Sequence, residues 1–384
     1  MSHDSASGWC SMKLTIDRAL LLKALGHVQS VVERRTTIPV LANVLMEARD
    51  GSLSFSATDL DIEVQEKVGA EVVQSGATTA PAHLLFDIVR KLPDGVDVEL
   101  DHDAGAERLH IRAGRSRFSL SCLARDEFPS LSEGEFPYQF KVESDVITKM
   151  IDKTRFAIST EETRYYLNGI YLHIRGQDGD RRLCAVATDG HRLAMASEEA
   201  PEGSLEIPGV IIPRKAVGEL RKLLDDSEEP MVEVSLSESR IRFVFDMVVL
   251  STKLIDGTFP DYERVIPSDN DRVLKVSPEH FSKAVDRVAT VSFEKTRAVK
   301  LALSPQKLEL SVTSPDAGSA SEELEVDYDA SPLEIGFNAR YLLDINAQLD
   351  GSESRFEFKD PASPTVIRSA EDEGLLFVLM PMRV

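Results

Sequence analysis

A threefold internal repeat constrains this chain more strongly than any other feature of its sequence. An amphipathic segment of about three helical turns, with apolar residues at i, i+3 and i+4, recurs at 79–95, 212–226 and 337–351. Alternating apolar and polar residues, the pattern of strands, follow each copy. The interval of about 125 to 130 residues is far longer than that of solenoid repeats, which is about 20 to 50 residues. Each copy therefore has the size of a domain.

A second helical segment precedes each copy and doubles the repeat. It recurs at 19–32, 146–158 and 281–291, and each time a pair of predicted strands follows it. Each domain is therefore predicted to contain two helix-plus-strands units. Chance similarity among short helix and strand runs is the alternative, but it does not explain why these features recur three times in one order.

The repeat predicts an α+β fold of three similar domains, each made of two helix-plus-antiparallel-sheet units. Strands with one polar face form antiparallel sheets, and helices cover the other face of such sheets. We place the domains at 12–132, 140–264 and 272–384. Residues 1–11 precede the first domain as an N-terminal extension, which we expect to be disordered.

Charge is distributed unevenly between the predicted helices and the rest of the chain. The whole chain has 44 Lys and Arg against 65 Asp and Glu, and its formal charge of −21 argues against a general affinity for nucleic acid. The predicted helical stretches nevertheless carry 16 basic against 9 acidic residues. These stretches are 17–35, 82–91, 144–157, 213–224, 278–289 and 338–349. Basic residues can simply be good helix formers on solvated faces; alternatively, they form one positive surface that could hold a polyanion.

Several function classes are disfavoured by patterns that the sequence lacks. No apolar run of about 18 residues predicts a membrane helix, and the first residues lack a signal-peptide core. The three cysteines, Cys10, Cys122 and Cys184, lack the spacing of a disulfide framework or of a metal site. Such cysteine usage favours a reducing cytoplasm. We therefore predict no cofactor, no metal and no membrane association.

One pair of residues has the chemistry of an acid–base catalyst. Asp189 and His191 place a carboxylate and an imidazole two positions apart. No GxSxG, P-loop, GxGxxG or HExxH motif accompanies them, and no serine or cysteine lies in an activating sequence context. A hairpin turn over Thr188–His191 is the better interpretation, so we predict a protein without catalytic activity.

Longer motifs resemble a known family, the β subunit of bacterial DNA polymerase III, or sliding clamp. The resemblance runs from Met12 to Val384. Its most specific motifs are RYYLNG at 164–169, ATDGHRLA at 187–194, TFPDY at 258–262 and MPMR at 380–383. The resemblance implies the DNA clamp fold, in which helices line the inside of a dimeric ring and sheets form its outside. It also implies a non-catalytic processivity factor that encircles duplex DNA and slides without sequence preference.

Helix packing sets the number of chains that such a ring needs. Helices pack about 9 to 10 Å apart, so six inner helices leave a hole of only about 8 Å. Twelve helices leave a hole of about 26 Å, which is wide enough for a duplex of about 20 Å. Because one chain supplies six helices, the implied function requires a homodimer, whose edge strands would pair across the interface.

The resemblance further implies a groove between the second and third domains that takes short linear peptides. Its partners would be the DNA polymerase III α subunit, the clamp loader, other polymerases and repair proteins. Met and Pro side chains suit an adaptable apolar wall, and Arg192, Arg264 and Arg383 could hold polar peptide groups. Without the resemblance, Val378–Met382 reads as a final core strand. The groove residues are Leu167, Thr188, Gly190, His191, Arg192, Leu193, Pro260, Arg264, Val265, Tyr341, Val378, Met380, Pro381, Met382, Arg383 and Val384.

Two more residue sets follow from the resemblance. The DNA-facing set combines basic side chains, which supply charge, with tyrosines, which can lie against sugar or bases. It consists of Arg35, Lys149, Lys153, Tyr165, Tyr166, Arg214, Lys215, Arg221 and Lys222. The dimer interface is expected where the Arg115–Cys122 strand of one chain meets Val288–Ser292 of the other. It consists of Arg117, Phe118, Leu120, Val288, Thr290 and Val291.

A different function class shares every compositional argument. A non-catalytic three-domain scaffold could bind proteins without encircling DNA. Molecular mass separates the two hypotheses, because the ring requires a dimer of twice the 42.5 kDa chain. A sliding clamp would act in the cytoplasm, in association with the nucleoid.

Overall fold

The computed structural model describes residues 11–129, 134–177, 179–292, 298–315 and 317–383. The α-helices in these ranges are α1 (Arg18–Gln29), α2 (Ala82–Lys91), α3 (Ser144–Thr154), α4 (Arg214–Asp225), α5 (Pro278–Ala289) and α6 (Ala339–Asn346). Helices α2 to α6 coincide with predicted helical stretches to within about three residues, and α1 lies inside its predicted stretch, so the six helices are confirmed. Helix α1 ends at Gln29, earlier than predicted. The predicted disorder of the N-terminal extension lies outside the described residues, except for Ser11, which begins the first strand.

Side-chain caps explain where several helices begin. Asp17 Oδ1 accepts a hydrogen bond from the Ala19 N–H at 2.8 Å at the start of α1. Ser277 caps α5 and Asn338 caps α6 in the same way. Within the described ranges, no helix has the length and apolar character needed to cross a membrane.

Strands account for most of the remaining ordered backbone. The first thirteen are β1 (Ser11–Asp17), β2 (Asn43–Arg49), β3 (Ser52–Thr58), β4 (Ile62–Gly69), β5 (Glu71–Gln74), β6 (Gly76–Pro81), β7 (Asp97–Asp103), β8 (Arg108–Ala113), β9 (Ser116–Ser121), β10 (Tyr138–Glu143), β11 (Gly169–Arg175), β12 (Arg182–Thr188) and β13 (Arg192–Glu199). The others are β14 (Val210–Pro213), β15 (Met231–Leu236), β16 (Arg240–Phe245), β17 (Val248–Lys253), β18 (Arg272–Val276), β19 (Ala298–Ser304), β20 (Lys307–Ser314), β21 (Gly318–Glu325), β22 (Leu333–Asn338), β23 (Ser354–Phe358), β24 (Thr365–Ser369) and β25 (Leu375–Leu379).

The first compact unit comprises the described residues up to Ser144 together with Gly218–Leu254. It contains a five-stranded sheet in the order β5-β1-β7-β8-β9 and an eight-stranded sheet in the order β10-β15-β16-β17-β4-β3-β2-β6. Helix α1 packs against α2 and against β3 and β4. Leu53 and Phe55 of β3 are fully buried, as expected for the side of a strand that faces its helix layer.

The second compact unit comprises Asp145–Val217 together with the described residues from Ile255 onward. It contains an eight-stranded sheet in the order β14-β11-β12-β13-β25-β24-β23-β18 and a four-stranded sheet in the order β21-β20-β19-β22. Helix α5 packs against α6 and against β19, β20 and β21. Phe281 of α5 is fully buried and lies against Phe356 of β23, with ring centroids 5.2 Å apart.

In each unit, antiparallel strand pairing crosses a predicted domain joint. Leu250 of β17 lies opposite Val64 of β4, and Leu193 of β13 lies opposite Val378 of β25. The two compact units therefore differ from the three predicted domains, and the second predicted domain contributes residues to both units. The reason is that packing follows the continuous sheets, whereas the repeat follows the sequence. The domain boundaries stay a prediction.

Candidate functional site

A tight turn joins β12 to β13 in the second unit. The Asp189 carboxylate accepts hydrogen bonds from the backbone N–H groups of His191, at 2.9 Å, and Arg192, at 3.0 Å. Thr188 Oγ1 accepts from the Gly190 N–H at 3.1 Å and donates to the Arg192 carbonyl at 2.7 Å. These are the contacts of an Asx turn. The predicted hairpin turn is therefore confirmed, and the Asp189 carboxylate holds the turn.

Only glycine fits the middle of this turn. Gly190 has a φ of +87°, and a Cβ atom there would lie 2.5 Å from Arg164 Nη1. Arg164 is itself fixed, because it donates to the Asp189 carbonyl at 3.1 Å and pairs with Glu161 at 2.6 Å. Both the left-handed backbone and the close approach of the guanidinium thus require a residue without a side chain.

Strand β25 runs beside β13 and brings a distant part of the chain to the turn. Leu193 lies opposite Val378 in the sheet. Beyond the end of β25, the Met380 N–H donates to the His191 carbonyl at 2.9 Å. Four predicted groove residues from two distant segments are therefore neighbours.

A buried apolar cluster contains three of the predicted groove residues. Leu167, Leu193 and Val378 are each at most 4% exposed. The cluster's other members are Val186, Met195, Ile211, Phe259, Tyr262, Val366 and Leu376. Val265 and Met380 follow cluster members closely in the chain, yet they are 50% and 42% exposed. The buried cluster is part of the core, and the apolar surface available to a ligand in this region comes from Val265 and Met380.

The segment that follows Phe259 adds polar groups to this region. Tyr262 is buried, and its Oη lies 3.0 Å from His173 Nε2. Burial raises the pKa of Tyr262 and lowers the pKa of His173, so both side chains are neutral at pH 7. Pro260 is exposed, and Arg264 is 84% exposed while pairing with Asp261 at 2.6 Å. Arg264 is therefore accessible to a ligand.

An aromatic pair borders the turn. The His191 and Tyr341 rings are stacked, with centroids 6.1 Å apart and planes inclined by 26°. The Arg192 guanidinium lies 4.4 Å from the Tyr341 ring centroid, and only 9% of its side chain is exposed. Burial raises the pKa of Tyr341, so its phenol is neutral at pH 7. The accessible ring surface comes from His191 and Tyr341, and Arg192 is buried against it.

The tail of the chain lies in different surroundings. Pro381, Met382 and Arg383 line a cavity of about 920 Å³ whose other walls include residues of β19, β20 and β22. The Met382 N–H donates to the Gly336 carbonyl at 2.9 Å. Among the described residues, no other member of the predicted groove lines this cavity. Val384, the last predicted member, lies outside the described residues.

Thiol and metal chemistry find little support. Cys122 and Cys184 are buried and free. Burial raises the pKa of Cys122 and raises that of Cys184 to about 11, so both thiols are protonated at pH 7 and are poor nucleophiles. In the described part of the chain, no three His, Cys, Asp or Glu side chains are grouped to hold a metal ion. Cys10 lies outside the described residues.

Known proteins of one family match three consecutive parts of the chain. Models of the DNA polymerase III beta subunit match residues 12–132 as its N-terminal domain, 141–261 as its central domain and 263–383 as its C-terminal domain. The chain belongs to the DNA polymerase III β-subunit family. The resemblance inferred from the sequence motifs is thus confirmed, and so is the α+β DNA clamp fold.

Individual members of this family match nearly the whole chain. The beta sliding clamp of Caulobacter vibrioides is 55% identical over 373 residues, which cover 97% of this chain and 100% of the relative. A Caulobacter crescentus beta sliding clamp, crystallised with polyethylene glycol, is 54% identical with a TM-score of 0.96, covering 98% of this chain and 100% of that one. A Bartonella birtlesii DnaN sliding clamp bound to griselimycin is 50% identical with a TM-score of 0.94, covering 97% and 100%. As a family member, the chain is a non-catalytic processivity factor of DNA polymerase III, as predicted.

Two of the predicted DNA-facing lysines of this clamp are engaged by its own carboxylates. Lys149 Nζ lies 2.5 Å from Glu198 and 2.7 Å from Asp372. Burial alone would lower the pKa of Lys149, but these two hydrogen-bonded carboxylates raise it overall. Lys153 lies 2.5 Å from Asp350, and only 13% of its side chain is exposed. Their positive charge is therefore largely neutralised within the chain.

Helix α4 carries four of the predicted DNA-facing residues, with different surroundings. Arg214 and Lys215 are exposed at the beginning of the helix, and Arg214 has no carboxylate partner among the described residues. Arg221 pairs with Asp225 at 2.5 Å and has 16% of its side chain exposed. Lys222 is 65% exposed although it lies 2.8 Å from a carboxylate one turn away. Arg214, Lys215 and Lys222 are thus the accessible cations of this helix.

Arg35 and the two tyrosines are the remaining members of the DNA-facing set. Arg35 is exposed in the segment after α1 and forms no ion pair within the described part of the chain. Tyr165 is 54% exposed and contacts Tyr166 edge-to-face, with centroids 5.8 Å apart. Tyr166 packs against the buried apolar cluster and is only half-buried. Tyr165 is therefore the more accessible of the two rings.

The first half of the predicted dimer interface lies on an edge strand. Strand β9 pairs with β8, and its other edge has no partner among the described strands. Arg117 is exposed and Phe118 is 37% exposed, whereas Leu120 is 7% exposed. An open edge that displays a large apolar side chain is available for pairing with another chain.

The second half of the predicted interface lies at the end of α5. Val288 is 2% exposed and packs in the core, whereas Thr290 is exposed and Val291 is partly exposed. The neighbouring strand β21 has an edge without a partner among the described strands. Sequence reasoning missed β21, because Ala320 and Leu324 are its only apolar residues and give little periodicity.

Proposed function

We propose that two copies of this chain close into a ring around duplex DNA and tether replication and repair proteins by short linear peptides. A ring that encloses DNA holds it without contacts to base edges, so it can slide along any sequence. The observation that carries the proposal is the exposed apolar side chain of Met380 beside the 189–191 turn, in a chain of this family.

We infer that the peptide lies against the exposed side chains of Val265 and Met380 and against the rings of His191 and Tyr341. Met380 supports this assignment, because an exposed, flexible thioether adapts to different apolar side chains. Arg264 is accessible for polar groups of the peptide. The DNA polymerase III α subunit, the clamp loader, other polymerases and repair proteins would then compete for one surface, each through a short linear peptide.

Removing the tail tests the groove. We expect a chain that lacks Met380–Val384 to lose binding of a fluorescent peptide copied from the clamp-binding segment of the α subunit, measured by anisotropy. Met380→Ala should weaken binding about tenfold, the effect of a modest hot spot. Met247→Ala is the matched control, because Met247 is also exposed, at 61%, but lies in the other unit. Unchanged affinity of the truncated chain would show that the groove is assigned to the wrong place.

For the dimer, we infer that β9 of one chain pairs with β21 of the other. Each strand has an edge without a partner among the described strands, although Glu322 and Glu323 of β21 already pair with Arg287 and Lys307 of the same chain. Strand β9 carries Arg117, whereas β21 carries Glu322, Glu323 and Glu325. Pairing would extend two sheets into one across the interface, with Phe118 as an apolar anchor.

Sedimentation tests this interface. We expect the unmodified chain to sediment at twice 42.5 kDa and Phe118→Asp to sediment as a monomer. Val73→Asp is the matched control, because Val73 is 67% exposed on β5, the opposite edge strand of the same sheet. A Phe118→Asp protein that stays dimeric, or a Val73→Asp protein that dissociates, would contradict the proposed pairing.

For DNA, we infer that accessible cations contact phosphates and that Tyr165 lies against the backbone. Arg35 and Arg214 are the strongest candidates, since both are exposed and form no ion pair with described residues. Lys215 and Lys222 are exposed as well, and Lys149, Lys153 and Arg221 would contribute less because carboxylates of this chain hold them. Phosphate contacts alone give salt-sensitive binding without sequence preference.

Retention on closed and open DNA tests the ring. We expect clamps loaded on nicked circles to stay bound until the circle is cut, and clamps on linear DNA to slide off its ends. Arg35→Ala with Arg214→Ala should reduce the salt slope of direct binding by about two for each subunit that contacts the DNA, one for each phosphate contact. Lys359→Ala, which removes an exposed lysine paired with Asp269, is the control. Equal escape from circles and linear DNA would instead favour the protein-binding scaffold, which the family does not favour. For a ring on DNA we expect a location in the cytoplasm, in association with the nucleoid.

A further inference from the structure

Arg192 is the centre of a hydrogen-bonded cluster within the second unit. Its Nε lies 3.1 Å from Asp189 Oδ2, and its Nη1 lies 2.6 Å from Asp344 Oδ2. Its Nη2 donates to the Phe156 carbonyl at 2.7 Å. All three nitrogens therefore bind groups of this chain, and with only 9% of the side chain exposed the guanidinium has little capacity left for a ligand.

Aromatic rings cover the faces of the same guanidinium. The Tyr341 ring centroid lies 4.4 Å from the guanidinium carbon, and the Phe156 ring centroid lies 5.0 Å from it. Cation–π contacts of this kind fix a planar guanidinium against a ring. Tyr341 in turn stacks with the exposed His191 ring. Arg192 thus supports the two rings that border the groove.

Helix α6 supplies two of these contacts from one face. Tyr341 and Asp344 are three residues apart and therefore lie on neighbouring positions of the helix surface. Arg192 binds the Asp344 carboxylate and contacts the Tyr341 ring together. The carboxylate consequently fixes where the guanidinium meets the ring.

We propose that Asp344 and Phe156 are positioning residues for peptide recognition and act through Arg192. This inference rests on the proposed function, because it assigns a role toward the same groove. Neither residue needs to touch the peptide. By holding Arg192 in place, they hold the Tyr341 and His191 rings in the binding arrangement before the peptide arrives. Side chains that are already ordered lose less conformational entropy on binding.

A double-mutant cycle tests the proposal with the same fluorescent α-subunit peptide. We expect Asp344→Asn to weaken peptide binding about tenfold, a coupling typical of residues in one network. In a Tyr341→Ala background, Asp344→Asn should change the affinity less than about twofold, because the wall that it positions is already gone. A merely structural role would weaken binding by the same factor in both backgrounds, and that result would overturn the proposal.

Two further variants keep the result unambiguous. Phe156→Leu keeps an apolar side chain but removes the ring over Arg192, and it should weaken binding about threefold, below the effect of Asp344→Asn. Asp350→Asn removes the carboxylate that pairs with Lys153 in the same unit and should leave peptide affinity unchanged. If the unmodified chain fails to bind the peptide, the proposed function fails; if it binds and Asp344→Asn binds equally well, only this inference fails.

Discussion

Each compact unit contains a buried ionic cluster that joins distant segments, and the two clusters differ in chemistry. In the first unit, His27 of α1 lies 2.7 Å from Glu66 of β4 and 3.2 Å from Asp226, the residue after α4. In the second unit, Arg192 joins the hairpin turn to α6 and to the segment after α3. Both cations bind two carboxylates, and their side chains are 10% and 9% exposed.

The difference lies in whether the central cation can lose its charge. Arginine stays protonated at every pH that a folded protein tolerates. Burial alone would lower the pKa of His27, but hydrogen bonds and charge from Glu66 and Asp226 outweigh it and raise that pKa above its ordinary value of 6.5. The cluster in the first unit is therefore conditional on pH, whereas the cluster in the second unit is permanent. The permanent cluster is the one that contacts Tyr341, a ring of the proposed peptide groove.

Replacing the permanent cation should have the largest effect. Arg192→Met leaves the carboxylates of Asp189 and Asp344 without their cation, and removing one partner of a buried ion pair costs about 3 to 5 kcal/mol. We expect the free energy of unfolding, measured by urea denaturation, to fall by about that amount. Arg383→Met replaces an exposed arginine of the same unit and should change it by less than about 0.5 kcal/mol. If both substitutions lowered the free energy of unfolding equally, the buried cluster would stabilise the unit no more than an exposed arginine does.

The cluster in the first unit should respond to pH. A cation whose pKa is raised by folding stabilises the protein fully below the unfolded-state pKa of about 6.5, and this contribution is lost as pH rises through the higher folded-state pKa. At pH 5.5 we expect His27→Gln to cost about 1.5 to 3 kcal/mol, the range for hydrogen bonds to charged groups. The difference between the two proteins should shrink steadily toward pH 9.

Other charges around His27 set the background of that measurement. Lys23 donates to the Asp226 carbonyl at 3.0 Å, and the nearby Glu219 accepts from Ser30 and Lys222. Because both proteins contain these groups in the same places, their contribution to the free energy of unfolding is common to the two measurements and cancels in the difference. A difference that grows with pH, or stays flat, would mean that His27 is not the titrating group.

The smallest effect should come from an ion pair that joins no buried segments. Lys359 lies 2.6 Å from Asp269, and both side chains are largely exposed, at 47% and 63%. Exposed pairs are screened by water and salt, so we expect Lys359→Ala to leave the thermal midpoint unchanged. A clear drop in the thermal midpoint would show that exposed ion pairs of this chain stabilise it as well as buried ones do.

Sequence patterns predicted what is encoded locally and missed what depends on partners far along the chain. The helices and the turn at Gly190 follow from periodicity and short motifs. Leu167 and Val378 were predicted as groove residues only through the family resemblance, and both lie in the buried cluster. By contrast, Lys153 reads as a free cation in the sequence, yet its partner Asp350 lies 197 residues away. His27, Glu66 and Asp226 form no pattern either, because only the fold brings them together. The sequence predicts that Arg192 contacts a ligand. In the structure, however, the side chain is buried and its nitrogens bind groups of this chain.

Strand β25 follows every other strand of its sheet in the chain and yet lies near the middle of that sheet, between β13 and β24. During synthesis, the facing edges of β13 and β24 therefore have no native partner until Leu375–Leu379 become available to pair with them. A nascent chain would therefore not bind partner peptides before this strand has paired. A chain whose synthesis stopped before β25 would keep two unpaired strand edges, which are prone to aggregation and are recognised by chaperones or proteases.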